Sequence, residues 1–335
     1  MLNHSGDAVG GMRTDSLAGK SSAAMGPNGF WPSRLIDVAR SASETRIVME
    51  ASDRMCVFCN DFCRVVADVI SDAANESASV YVPHICDNRV PGWVVPGVRA
   101  VLISYDGDDG TMLRILDDLL SRGCEVVCVS SEGRIAASCR DAGGVVLTIP
   151  SDVSEAEVPW FVMGLLSAIV QSSGLFDASA MLRDAMVSAE ASRDDLERQV
   201  AYVANELSGG VVAAYSTSDI RASSRYWRQT VGSARSDISF FGELPEFDHN
   251  ELVGWSDPNV HAPELRLLVV RGEVQSRLVT EILRCMQEVL EENGRHAIVV
   301  DLGSGDSMTK NIRAMILALM VAKALEGVCR WPVSP

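Results

Sequence analysis

From Arg46 onward, short apolar runs alternate with stretches whose apolar residues recur every three or four positions. The pattern predicts a strand at Arg46–Met49, a helix over Met55–Ile70 and a strand at Ser79–Val82. A stronger strand, Ala-Val-Leu-Ile-Ser-Tyr, covers Ala100–Tyr105, and a helix covers Thr111–Ser121. Glu125–Ser130 reads as a strand, Gly133–Asp141 as a helix and Val145–Ile149 as a strand. Strand–helix alternation with Gly and Asp at the strand exits predicts a parallel sheet covered on both faces, the α/β class.

A helical zone follows. Pro159–Gln171 is apolar on most sides, as a helix packed between domains would be. Ala178–Leu207 keeps helical spacing with many charges, so one face is expected in water until Gly209-Gly210 stops it. Alternation then resumes: strand Val211–Tyr215, helix Arg221–Val231, short strand Ile238–Phe241, strand Leu265–Val270, helix Glu273–Glu292, strand Ala297–Leu302 and helix Lys310–Leu325. Two similar halves predict a pseudo-duplicated protein with a cleft between them. The expected division is a disordered tail over 1–29, an N-terminal domain over 30–155, interdomain helices over 156–208 and a C-terminal domain over 209–335.

Charge narrows the partners. The 335 residues carry a formal charge of -16 at pH 7. An acidic surface repels phosphate backbones and anionic lipid, so neither nucleic acid nor membrane is expected as a partner. No apolar run approaches the length of a membrane span, and no secretory leader pattern opens the chain, which points to the cytoplasm. Nine scattered cysteines suit reduced thiols better than a disulfide framework. Cys56, Cys59 and Cys63, with Cys86 and His84, offer metal-ligand types, but the same spacing marks one buried helix face, so no metal and no cofactor is expected. The acidic cluster Asp106–Asp109 has oxygen ligands for a hard cation without an EF-hand pattern, and its plainer account is a solvated strand exit. Gly303-Ser304-Gly305-Asp306-Ser307 has the look of a phosphate cradle but lacks the P-loop lysine; a helix cap from Asp306 or Ser307 accounts for it.

One segment is specific. Gly242-Glu-Leu-Pro-Glu-Phe-Asp-His-Asn-Glu-Leu-Val-Gly-Trp255 is a turn-rich acidic loop around a single histidine. It resembles the signature of the bifunctional phosphoglucose/phosphomannose isomerases, proteins with two sugar-isomerase (SIS) domains. Ser104-Tyr105-Asp106-Gly107-Asp108-Asp109 stands where that family has Ser-Tyr-Ser-Gly-Asn-Thr, and Ser131-Glu132-Gly133 resembles its next strand exit. The acidic forms resemble a divergent actinobacterial, TobH-like branch. The resemblance implies two SIS-like domains and a homodimer in which the histidine loop reaches the partner's cleft. It also implies a sugar or sugar-phosphate ligand, ring opening by His249, and substrate contacts from Ser52, Ser104, Asp106, Asp109 and Ser131.

The departures from the family pattern concern charge. The family's Gly-rich phosphate loop aligns with Glu50-Ala51-Ser52-Asp53, and Asp106 and Asp109 replace a serine and a threonine. A carboxylate about 4 Å from a phosphate oxygen opposes it by roughly 4 kcal/mol at an effective dielectric near 20. The family's basic glutamate aligns within Val231–Ser236, which has no carboxylate, and its arginine with Trp160. The resemblance with these losses implies a carbohydrate-derivative-binding or regulatory protein, a pseudoenzyme of sugar-phosphate metabolism. The alternative is an active aldose–ketose isomerase, an intramolecular oxidoreductase, whose base has moved to Glu243 or Glu251 beside His249. An acidic cleft also suits a neutral or amino sugar.

Overall fold

The computed structural model describes residues 30–78, 81–235, 238–246, 251–257, 265–273 and 277–326. Two all-parallel sheets are built in sequence, so the α/β expectation with two SIS-like units holds. The first sheet has β1 (Met55–Cys59), β2 (His84–Ile85), β3 (Arg99–Ser104), β4 (Glu125–Ser130) and β5 (Val145–Thr148) in the order β2-β1-β3-β4-β5. The second has β6 (Val211–Thr217), β7 (Ser239–Leu244), β8 (Leu265–Arg271) and β9 (Ala297–Asp301) in the order β7-β6-β8-β9.

The opening of the chain corrects the sequence reading. Arg46–Met49 forms no strand; Ile47 and Met49 lie half-buried against the main core. The first strand is Met-Cys-Val-Phe-Cys at Met55–Cys59, with all five residues buried between β2 and β3. A central parallel strand is apolar on both faces and lacks alternation, so it imitates the start of a buried helix. The helix α2 begins only at Asp61 and runs to Ser77. An unforeseen helix, α1 (Ser33–Ser43), packs on α5 (Val158–Ser172). The closeness depends on Gly164, where a Cβ would stand 2.3 Å from the Ala39 carbonyl oxygen.

In the first half, α3 (Gly110–Ser121) and α4 (Arg134–Asp141) cover one face of the sheet. The long helix expected over Ala178–Leu207 is two, α6 (Ala178–Ala191) and α7 (Arg193–Leu207), broken at Ser192, whose hydroxyl bonds back to the Ser188 carbonyl at 2.9 Å. In the second half, α8 (Arg221–Arg235) and α9 (Arg277–Glu292) precede α10 (Ser307–Leu325). α10 is buried almost all round and touches α2, α6, α7 and α8, so it is the axle of the molecule.

α2 joins the halves through acids on one stripe. Asp68, Asp72 and Glu76 recur every four residues, one turn apart. Asp68 pairs with Arg225 at 2.6 Å, Asp72 with Arg221 at 2.8 Å, and Glu76 accepts the Ser307 amide at 2.7 Å. No helix among the described residues is long and apolar enough to cross a membrane. The tail expected over 1–29, and Ser79 and Val80 of the strand expected at Ser79–Val82, lie outside the described residues.

Candidate functional site

Ligands of open parallel sheets bind beyond the carboxyl ends of the strands. At the exit of β3, Ser104 is buried and its hydroxyl donates to the Asp106 carbonyl at 2.6 Å. The carboxylates that follow are engaged by the backbone. Asp106 accepts the Asp108 amide at 2.9 Å. Asp109 accepts the Thr111 and Met112 amides at 2.7 and 3.0 Å and so caps α3. Asp108 accepts the Arg134 amide at 2.9 Å, the first residue of α4. Helix N-terminal amides are the natural receptor for an anion, and here side-chain carboxylates already occupy them.

The loops after β3 and β4 also close on each other. A Cβ on Gly107 would lie 2.6 Å from the Glu132 carbonyl oxygen, and one on Gly133, at φ 155, would lie 2.8 Å from Gly107. Ser131 sits half-buried at this closed exit. Its neighbour Glu132 grips Arg140 through two bonds of 2.7 and 2.9 Å.

Ser52 does not join this group. Because β1 starts at Met55, Glu50–Asp53 precedes the strand and sits at the amino edge of the sheet. The Ser52 amide donates to the Ser173 carbonyl at 3.0 Å. The length of the sheet, about 16 Å for five residues, separates it from Ser104, Asp106, Asp109 and Ser131. The loop that does follow the first strand begins at Asn60, the N-cap of α2, which makes no side-chain cap bond and whose Oδ1 is buried without a partner.

The second sheet repeats the theme. Asp306 caps α10 through the Thr309 amide at 2.7 Å, as the plain account of the Gly303–Ser307 turn expects. Glu76 takes the Ser307 amide, and Asp72 takes the Ala222 amide at the start of α8 at 3.3 Å. Beside them a cavity of about 390 Å³ holds Lys310, nearly buried and paired with Asp219 at 2.7 Å. A Cβ on Gly272 would lie 2.2 Å from the Lys310 Cδ, so the lysine would have to shift to admit one.

Glu243 is half-buried on β7, opposite Ser216 of β6. Glu251 accepts a short hydrogen bond from the Tyr215 hydroxyl; burial, then Glu251, pushes that phenol's pKa up. Glu243 lies on the second sheet and Glu251 is bound to its strand β6 through Tyr215, and no hydrogen bond or ion pair among the described residues links either to the exits of the first. His249 lies outside the described residues.

Sequence reasoning missed a cationic cavity. Arg64 of α2 and Arg225 and Arg228 of α8 converge, with Ser233 and Phe241, on about 750 Å³. Arg225 pairs with Asp68 and lies 4.6 Å from the Phe241 ring centroid; Arg228 lies 5.5 Å from it. His84 approaches the other Asp68 oxygen at 3.0 Å. Burial raises the Asp68 carboxyl, but the hydrogen bonds and charges of His84 and Arg225 outweigh it and hold it below the usual range. The Arg64 Nε is buried without a partner, and neither Arg64 nor Arg228 has an ion pair among the described residues. The available signal was Arg225-x-x-Arg228, two cations on one helix face. Ser233, within the segment aligned with the family's base, lines this cavity. Trp160, aligned with the family's arginine, is core and donates to the Tyr226 hydroxyl at 3.3 Å.

The cysteines are not one helix face. Cys56 and Cys59 lie on β1, three residues apart and therefore on opposite faces, and only Cys63 is on α2. Among the described residues no group of three or more His, Cys, Asp or Glu is arranged to hold a metal ion.

The paired parallel sheets with helices on their faces define the class as an α/β protein of two sheet units. Residues 197–324 match the family described as the bacterial phospho-glucose isomerase C-terminal SIS domain. A bifunctional phosphoglucose/phosphomannose isomerase of Aquifex aeolicus (strain VF5) is 23% identical over 222 residues, 66% of this chain and 67% of that protein. A hypothetical protein from Thermus thermophilus superposes with a TM-score of 0.61 at 14% identity, over 88% of this chain and 81% of its own. The C-terminal domain of glucosamine-fructose-6-phosphate aminotransferase from Francisella tularensis gives 0.59 at 13% identity, over 89% and 87%. These two structures share the fold.

Proposed function

We propose that this chain binds a phosphorylated sugar derivative and does not isomerise it. One observation carries the reading: carboxylates of the protein itself fill the helix N-termini at the exits of β3 and β4, with Asp109 on α3 and Asp108 on α4. A phosphate dianion entering there would have to displace them and overcome their charge. The anionic group is instead received by Arg64, Arg225 and Arg228, where three guanidiniums face the single carboxylate of Asp68. Cations gathered at one place reconcile an anionic ligand with a chain whose net charge is -16. The relation to SIS isomerases also supports a cytoplasmic homodimer.

Thermal denaturation with glucose 6-phosphate, glucose and glucosamine tests the reading. The phosphorylated sugar is expected to raise Tm and the other two to leave it unchanged. Arg64→Gln or Arg228→Gln is expected to weaken binding by roughly 10-fold or more, since a bond to a charged group contributes about 1.5–3 kcal/mol. An equal rise with glucose, or no rise at millimolar glucose 6-phosphate, would contradict it.

A further inference from the structure

We propose that Cys59 and Cys86 form an oxidisable dithiol, a covalent modification site that reacts with hydroperoxides and closes to a disulfide between β1 and the residue following β2. The register Val57↔His84 and Phe58↔Ile85 sets Cys59 opposite Cys86 as the next pair across two parallel strands. Neighbouring strands lie about 4.8 Å apart, within the Cα separation of about 4.4–6.8 Å that a disulfide spans. The two sulfurs already stand 3.4 Å apart, so closure needs side-chain rotation and no movement of the sheet.

The two thiols differ in the way a two-step reaction needs. Cys59 is fully buried, and the hydrogen bond with Cys86 and desolvation push its pKa far up. Cys86 is half-exposed. The Cys59 bond, Arg64 and His84 pull its pKa down to about 7, against burial and the charge of Asp68. The third nearby thiol, Cys63, is buried and pushed up to about 12 by desolvation. Cys86 is therefore the nucleophile and Cys59 the resolving thiol.

The Cys86 thiolate attacks the outer oxygen of a hydroperoxide, the O–O bond breaks, and Cys86 becomes a sulfenic acid as an alcohol or water leaves. Cys59, losing its proton, attacks the Cys86 sulfur and expels the hydroxyl as water. Two thiols give up two hydrogens, and the peroxide, which is the oxidant, takes them. A small thiol reverses the step by exchange.

Peptide mapping of the wild-type full chain, exposed briefly to hydrogen peroxide and then alkylated, tests this without a variant. The expected product joins the peptides of Cys59 and Cys86, lighter by two hydrogens, with Cys63 and the exposed Cys285 alkylated. Without peroxide, Cys86 is expected to alkylate with a midpoint near pH 7, and Arg64→Gln to move that midpoint upward. In Cys59→Ser the reaction should stop at a sulfenic acid on Cys86 that a dione reagent traps. Oxidation at Cys285 while Cys59 and Cys86 both stay free, or a disulfide that uses Cys63 instead, would overturn the proposal.

Discussion

Asp109 shows how one carboxylate changes what a strand exit can do. Its Oδ1 holds two amides at the start of α3, the bonds a phosphate oxygen would otherwise make. Asp109→Ala is expected to cost about 1 kcal/mol in urea unfolding, and Asp109→Ser, which keeps an acceptor, only a few tenths. Equal losses would mean that capping is not the role of Asp109. Asp72 makes a prediction about pH. Burial pushes its carboxyl up to about 7, against Arg221, the Ala222 amide and Asn311, which pull it down. The ordinary value is about 3.9, so the folded state holds the extra proton between about pH 4 and pH 7. Stability from this group therefore falls as pH rises through that window. Asp72→Asn cannot titrate, so the wild type should lose about 2 kcal/mol relative to the variant between about pH 5 and pH 7. A stability difference that is flat over this range would contradict the assignment.

At the scale of elements, close packing of helices on sheets fixes where the exits lie. α1 rests on α5 only because Gly164 has no side chain; a Cβ there meets the Ala39 carbonyl oxygen at 2.3 Å and the Ala42 Cβ at 2.7 Å. Gly164→Ala should lower stability by about 1–3 kcal/mol through overpacking, despite alanine's better helix propensity. A stabilised variant in thermal unfolding would show that the contact relaxes freely. Much of this layer was legible in the sequence. Glu125–Ser130 is a strand with the expected ends, and Asp306 caps α10 as its Gly-Ser-Gly-Asp setting suggested. β1 was not legible, because a strand buried on both faces has no period-two signature to separate it from a helix. That shift of register placed Ser52 at the wrong edge and hid the Asp68–Asp72–Glu76 stripe. The arginine cavity was illegible for another reason: Arg64 and Arg225 are far apart in the chain and meet only when α2 docks on α8.

For the whole molecule, α2 is both the wall of the cationic cavity and the seam between the halves. Asp68 serves both tasks, since it anchors Arg225 for the cavity and ties the first half to the second. The same seam spends carboxylates on helix starts: Asp72 on α8, Glu76 on α10. Burying Asp68 against Arg225 and Asp72 against Arg221 makes the seam specific in geometry, since either carboxylate left alone would be an uncompensated buried charge. What remains open to an anion, among the described residues, is the side where Arg64, Arg225 and Arg228 face one cavity. On the reading proposed above, this cavity holds a phosphorylated ligand and the ring is neither opened nor isomerised. Ligand binding and catalysis are therefore expected to separate in this protein, with the first present and the second lost.

Turnover of glucose 6-phosphate and mannose 6-phosphate, followed by a coupled assay of fructose 6-phosphate, tests that separation most directly. The expected result is no product above the protein-free rate at ligand concentrations that raise Tm. Turnover that disappears in His249→Ala would contradict the account and restore an active isomerase.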